Sequence, residues 1–290
     1  MEYSFFALRI VLNPFVNLFQ KKLSAKGVSS LHLVLVTYIF CSLISVPVLF
    51  MRGVSVYTPE LLVWTASMSL VGTAGNALLV LALSKCDLSI FGPINSFKPV
   101  IGLALGLLVL REIPSAQAFA GVAVIVAGSA LLSFRKGGGG IASSVRALFR
   151  SHGVMLRIAS LTLISIEAVL MKKVLGLSDP LLAFALWSVT GVPFLVAACR
   201  MLRPGLSLRT LSLLRSNPLH AAGAVALYGA MQCVTFVVFS GAIVGISLAL
   251  FQLSSLVSVV LGWKYFGEKD IVQRLAGAAV MMIGAALILV

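Results

Sequence analysis

Two stretches of equal length decide the fold: PVIGLALGLLVLREIPSAQAFAGVAVIVAG at residues 99–128 and SLVSVVLGWKYFGEKDIVQRLAGAAVMMIG at residues 255–284. Each holds an apolar run, an acidic residue with a basic neighbour, and a second apolar run with two glycines seven positions apart. A shift of 156 positions superposes Glu112 on Glu268, Gly106 on Gly262, Gly121 on Gly277, Gly128 on Gly284 and Asn76 on Gln232. The chain therefore contains an internal repeat.

The composition around these stretches excludes a soluble protein. Hydrophobic residues make up 60% of the chain, charged residues 10%, and the mean hydropathy is +1.11, whereas about 25% of the residues of a soluble domain are charged. A helix that spans a membrane needs about 20 mainly apolar residues. Ten such runs occur, at 4–20, 31–50, 61–83, 88–110, 114–133, 154–173, 180–200, 218–240, 244–265 and 270–290. The sequence thus predicts an all-α membrane protein with ten transmembrane helices.

The longest break between apolar runs divides the ten predicted spans into two sets of five. It contains four glycines at 137–140, followed by Arg146 and Arg150, a composition typical of a flexible basic linker. The predicted organisation is a first five-helix repeat at 1–134, a glycine-rich linker at 135–153 and a second five-helix repeat at 154–290.

An odd number of spans in each repeat places the second repeat upside down relative to the first. Slightly smaller shifts extend the repeat, because Lys21-Lys22 falls on Lys172-Lys173 and Val46-Pro47 falls on Val192-Pro193. Two inverted five-helix repeats around a central cavity are an architecture of secondary transporters.

The order Pro99, Glu112, Gly121, Gly128 resembles that of the drug/metabolite transporter superfamily, specifically its EamA-type ten-span exporters and permeases. In the second half Ser255 stands at the position of the proline. The resemblance implies ten helices around a central cavity, a transporter rather than an enzyme, and substrates that range over amino acids, sugars, nucleotide-like metabolites and drugs. It implies no particular binding residue.

The positive charges predict an orientation in the plasma (inner) membrane. Most lysines and arginines, among them Lys21, Lys22, Arg157 and Arg200, follow odd-numbered spans. The positive-inside rule places that side in the cytoplasm and both termini outside, whereas the family resemblance implies that both termini are inside.

Lys98 is the first candidate binding residue, because an ionisable group at membrane depth needs a functional or structural reason. It lies near the middle of the fourth predicted span, and Pro99 next to it is expected to kink the helix and free a backbone carbonyl near Asn95. Asn95, Lys98 and Gly102 share one helix face.

Glu167 is the second candidate, inside the sixth predicted span. The remaining candidates are amides on other predicted spans, namely Asn13, Asn17, Asn76 and Gln232. Our hypothesis is that all seven residues line one solute cavity, in which Lys98 binds a carboxylate or phosphate and Glu167 binds a cationic group or a coupled proton.

Structural alternatives stay open for each of these residues. Lys98 and Glu167 can pair with each other, or Glu167 can reach Lys172 one turn away. Amides in membrane helices also serve as interhelical hydrogen-bond donors and acceptors, at about 0.6 kcal/mol each. Glu112 and Glu268, at span ends, are typical of helix starts and interface anchors.

The motifs present favour a transporter over an enzyme or a pump. The sequence has no Gly-rich Lys-Ser/Thr phosphate loop, no His-Glu-x-x-His and no paired cysteines, so we expect no cofactor, no metal and no nucleic-acid partner. The leading prediction is a secondary transporter of a small polar, anionic or zwitterionic metabolite, with protons as the candidate coupling ion. The alternatives are a lipid-handling, flippase-like protein and a drug or cation exporter.

Overall fold

The computed structural model describes residues 2–83, 94–133, 152–202, 208–266 and 271–289, and over these ranges it contains helices and no strand. In chain order the α-helices are α1 (Glu2–Ala25), α2 (Ser30–Met51), α3 (Pro59–Leu83), α4 (Lys98–Leu105), α5 (Ala116–Ser133), α6 (His152–Leu175), α7 (Pro180–Leu202), α8 (Leu208–Arg215), α9 (Pro218–Gly241), α10 (Val244–Phe251), α11 (Ser254–Phe266) and α12 (Ile271–Leu289). A 3-10 turn covers Val54–Val56, and α4 continues as a π-helical turn over Gly106–Leu110. The described chain is all-α, as predicted.

Five helices of the described chain, α2, α3, α6, α7 and α9, are long and apolar enough to cross a membrane. Shorter apolar helices lie at Lys98–Leu110, Ala116–Ser129, Val244–Ser258 and Ala276–Ile288. Within the described residues a helix lies in each predicted apolar run; the fourth run is interrupted at Ser96 and Phe97, and the ninth consists of two helices, α10 and α11. The architecture is that of a multi-pass membrane protein, while the total of ten spans stays a prediction.

The outward surface of α2 carries exposed apolar side chains. Leu43 and Ile44 are 66% and 59% exposed, and Phe50 is 86% exposed. Soluble monomers rarely expose contiguous apolar surface of this kind, whereas acyl chains solvate it. The apolar face of α2 therefore suits contact with lipid.

The described chain forms two compact units, each assembled from two separate segments. The first unit combines Met1–Ala74 with Glu167–Ala242, and the second combines Gly75–Ile166 with Ile243–Val290. Each unit draws on both predicted sequence halves. The predicted linker at 135–153 lies outside the described residues except for its last two positions.

In the first unit α1 packs against α9, and α2 packs against α7. The centre of this packing is aromatic: the rings of Tyr38 and Trp187 have centroids 4.1 Å apart, and Phe236 meets Trp187 edge-on at 5.9 Å. All three side chains are at most 2% exposed. Gly191 leaves the space that the Tyr38 ring occupies.

In the second unit α5 packs against α12 through glycines that the repeat relates to one another. A Cβ added to Gly121 would lie 2.7 Å from the carbonyl oxygen of Gly284, and one added to Gly128 would lie 2.8 Å from that of Gly277. The 156-residue shift converts the first contact into the second, so the contacts are reciprocal, and their order makes the two helices antiparallel. Glycine is required here because the two backbones touch.

Adding one methyl group at this contact should destabilise the second unit. We expect Gly121→Ala and Gly284→Ala each to lower the free energy of unfolding by about 1–3 kcal/mol, since the new Cβ overlaps a backbone oxygen that cannot move away. The measurement is a thermal melt of the purified protein in detergent. Gly53→Ala is the matched control, because its Cβ would meet nothing closer than 3.7 Å; equal melting temperatures for all three variants would contradict the prediction.

Candidate functional site

The seven candidate residues lie in both compact units. Asn13, Asn17, Glu167 and Gln232 belong to the first unit, and Asn76, Asn95 and Lys98 belong to the second. Glu167 is buried and Asn17 is exposed, while the other five are half-buried. That they line one cavity stays a prediction, and the surroundings of each are described unit by unit.

A helix break in the second unit confirms the expected effect of Pro99. Helical structure through Asn95 gives way to a turn at Ser96 and Phe97, and α4 begins at Lys98. Pro99 has no N–H to give to the carbonyl four residues earlier. That carbonyl, on Asn95, instead accepts a hydrogen bond of 2.7 Å from Nε2 of Gln252.

A second break lies at Gln252 and Leu253, between α10 and α11. These two positions follow the first break by 156 residues, the offset of the sequence repeat. Ser255 replaces the proline here: its backbone N–H donates to the carbonyl of Gln252 at 2.9 Å, and its hydroxyl donates to the same oxygen at 2.6 Å. The second break therefore occurs without a proline, and Ser255 satisfies the carbonyl of Gln252, three residues earlier, with two hydrogen bonds.

Arg157 reaches the first break from α6. Its Nε donates to Oδ1 of Asn95 at 3.2 Å, and Nη2 donates to the same oxygen. Nη1 donates to the hydroxyl of Ser160 at 3.2 Å, and that hydroxyl donates to the carbonyl of Gly75 at 2.7 Å. The side chain is 6% exposed, so the assignment of Arg157 to the loop charges was wrong: α6 begins five residues earlier and carries it inward.

Lys98 lies three residues beyond Asn95, on the other side of the break, at the start of α4. Ser96, in the turn itself, donates its hydroxyl to that of Ser129 on α5 at 3.0 Å. The second unit therefore brings three of the predicted elements, Asn95, Lys98 and the kink at Pro99, into one polar region.

Glu167 occupies a different setting, inside the aromatic centre of the first unit. Oε1 accepts a long hydrogen bond of 3.4 Å from Nε1 of Trp187, and the carboxylate interacts electrostatically with the hydroxyls of Tyr38 and Tyr228. It lies directly against Gly72, where any side chain would overlap the carboxylate. A buried ionisable group of this kind in a membrane protein is a functional candidate.

The polar residues of α1 share the first unit with Glu167. Arg9, which the sequence analysis did not single out, donates from Nε to the hydroxyl of Thr235 on α9 at 2.7 Å. Asn13 follows Arg9 by one turn, and Gln232 precedes Thr235 by three residues. The polar positions of α1 and α9 thus belong to one packed helix pair.

Two ionisable residues hold helix ends on either side of Ala242 and Ile243, where the chain passes from one unit to the next. The Lys172 ammonium donates to the carbonyls of Phe239 and Ala242 at 2.8 and 2.9 Å, at the end of α9. Oε2 of Glu112 accepts the N–H of Val244, the first residue of α10, at 2.9 Å. A cation at the C-terminal end of α9 and an anion at the N-terminal end of α10 both complement the helix dipole.

Glu112 was expected at a helix start, and it does accept a hydrogen bond at one, but at the start of α10 and not of the helix that follows it in the chain. Its own following helix, α5, is capped by the Ser115 hydroxyl, which accepts the N–H of Ala118 at 3.1 Å. Glu268, its counterpart in the repeat, lies outside the described residues.

The sequence analysis missed Arg9, Arg157 and Gln252. Arg9 and Arg157 are cations inside predicted spans, so the rule applied to Lys98 would also have selected them. Gln252 was harder to predict, since the only indication in the sequence is that the 156-residue shift places it on Ser96, near Pro99. The described residues contain no group of three side chains suited to hold a metal ion.

A multi-pass helical protein with interrupted helices and buried charges has the features of a secondary transporter. Residues 5–134 match the EamA-like transporter family. The first half of the chain thus matches the family that the order of proline, glutamate and glycines indicated, and this family consists of membrane transporters of the drug/metabolite type.

A structural comparison covers nearly the whole chain. A solved crystal structure, described only as that of a protein, superposes with a TM-score of 0.76 over 99% of this chain and 95% of its own, at 16% sequence identity. At that identity the likeness concerns the fold alone. No curated protein matches the sequence significantly.

Removing the Gln252 side-chain amide should leave the Asn95 carbonyl without a donor, because Pro99 has no N–H to replace it. We expect Gln252→Leu to cost about 1 kcal/mol of stability, the net contribution of one hydrogen bond, since this contact is part-buried, measured as a lower melting temperature. Gln117→Leu, at an exposed position of α5, is the matched control. Equal stability of the two variants would show that the Asn95 carbonyl finds another donor.

Proposed function

We propose that the protein is a secondary transporter of the plasma (inner) membrane that carries a small polar, anionic or zwitterionic metabolite. The observation that carries the proposal is the polar helix break of the second unit, where Arg157 donates to Asn95 and Lys98 follows three residues later. Interrupted helices supply substrate and ion sites in secondary transporters, because their unpaired backbone and polar side chains face a solute instead of lipid.

We propose further that the fold consists of ten spans in two inverted five-helix repeats, 1–134 and 154–290, around a central cavity. Two observations support this arrangement. The helix breaks recur at the offset of the sequence repeat, and the glycine contacts between the antiparallel helices α5 and α12 are reciprocal under the same offset. Reciprocal contacts between equivalent elements are what a two-fold axis produces.

Glu167 is the proposed coupling residue. It is a buried carboxylate next to Trp187 and within electrostatic range of Tyr38 and Tyr228, and carboxylates inside membrane helices commonly serve proton or ion pathways. The same aromatic and acidic surroundings would also suit an organic cation. A cation exporter is therefore the second candidate, which the solute screen below distinguishes.

A solute has to be found first. A thermal-shift screen of the purified protein against amino acids, sugar phosphates, organic acids and cationic drugs identifies compounds that bind the folded state and raise its melting temperature. The compounds that bind are then radiolabelled for uptake into proteoliposomes.

Transport should depend on the charges of Lys98 and Glu167. We expect Lys98→Ala to reduce uptake at least tenfold, and Glu167→Gln to remove its acceleration by an imposed pH gradient, because a glutamine side chain does not exchange protons at these pH values. Lys264→Ala and Glu60→Gln, both at exposed positions, are the matched controls. Unchanged transport by folded Lys98 and Glu167 variants would refute these roles.

A further inference from the structure

At the helix break of the second unit one cationic side chain contacts Asn95, and a second cationic residue follows three positions along the chain. Arg157 donates to the side chain of Asn95, and Lys98 begins α4 directly after the two-residue turn that follows Asn95. The backbone of Asn95 is held separately, since its carbonyl accepts from Gln252. The Asn95 side chain can therefore leave Arg157 without disturbing the break.

The contact between Asn95 and Arg157 uses the edge of the guanidinium that suits an anion. Nε and Nη2 point in parallel and both donate to Oδ1, which is the edge on which arginine binds a carboxylate or phosphate through two hydrogen bonds. Nη1 is held by Ser160, whose hydroxyl is in turn fixed on the Gly75 carbonyl. The guanidinium is thus held in place with this edge directed at a neutral amide oxygen.

We propose that Arg157 binds the anionic group of the transported solute, a carboxylate or phosphate that displaces the Asn95 amide from the Nε–Nη2 edge. A charged oxygen makes stronger hydrogen bonds to a guanidinium than a neutral amide does, and Lys98 adds a second positive charge at the same break. The inference rests on the proposed transport function and specifies it, since it assigns the anchoring residue and the class of solute.

The sharpest test is Asn95→Asp. The substitution keeps the shape of the side chain and places a permanent carboxylate on Arg157, so it should occupy the anion site from within. We expect wild-type protein in uncharged detergent to be stabilised by glycerol 3-phosphate or succinate and not by the matched neutral compounds, glycerol and succinamide. In Asn95→Asp the half-saturating concentration of the anion should rise at least tenfold.

Two further variants complete the test. Arg157→Gln should also lose the response to anions. Because this variant can fail to fold, the result for Asn95→Asp decides between the outcomes. Gln117→Glu makes the same amide-to-acid change at an exposed position in the first turn of α5, where a helix accepts an acid. It should respond to the anions as the wild type does.

The outcomes separate the inference from the transport function. A response to anions that Asn95→Asp retains overturns the inference, and so does stabilisation by neutral or cationic compounds alone; either leaves a transporter of some solute in place. Stabilisation by phosphatidylglycerol vesicles, with none by the soluble anions, overturns it in favour of a lipid headgroup as the ligand. If no compound of any class binds and none is taken up by proteoliposomes, both the inference and the proposed transport function fail.

Discussion

The carbonyl oxygen of Asn95 is the constraint around which the second unit is organised. Pro99 takes away its helical partner, and inside a membrane no water replaces it, so the protein itself has to supply a donor. Gln252 supplies it from the other helix break. Because this contact joins the two breaks, it also fixes the backbone beside the polar side chains of Asn95 and Lys98.

Close backbone packing is the second requirement of the same unit. Lipid provides no hydrophobic driving force between apolar helices, so small residues and direct van der Waals contact have to hold them together. Gly121 and Gly284 meet this need by letting α5 and α12 touch. In the same unit Glu112 accepts the N–H of Val244 at the start of α10, so this ionisable group has a structural contact.

Features with a local physical cause could be predicted from the sequence, and features that depend on distant residues could not. The kink at Pro99 was predictable because proline acts on its own helix, whereas the break at Gln252 was not, since a serine hydroxyl took over the part of the proline. Arg157 was misplaced because a cation near the end of an apolar run reads as a loop charge. The structure shows that this arginine, near the start of the predicted span 154–173, lies in α6 and is buried.

The sequence by itself determined that the chain is helical, apolar and internally repeated, because hydropathy and a fixed offset are properties of residue order. The spacing of Pro99, Glu112 and Gly121 also indicated the family that residues 5–134 match. Only the tertiary structure decided the partners: Gln252 for the Asn95 carbonyl, Arg157 for the Asn95 side chain, and Val244 for Glu112. Each of these pairs joins residues more than 60 positions apart in the chain, and hydrogen bonds at such separations depend on how helices pack, which residue order alone does not specify.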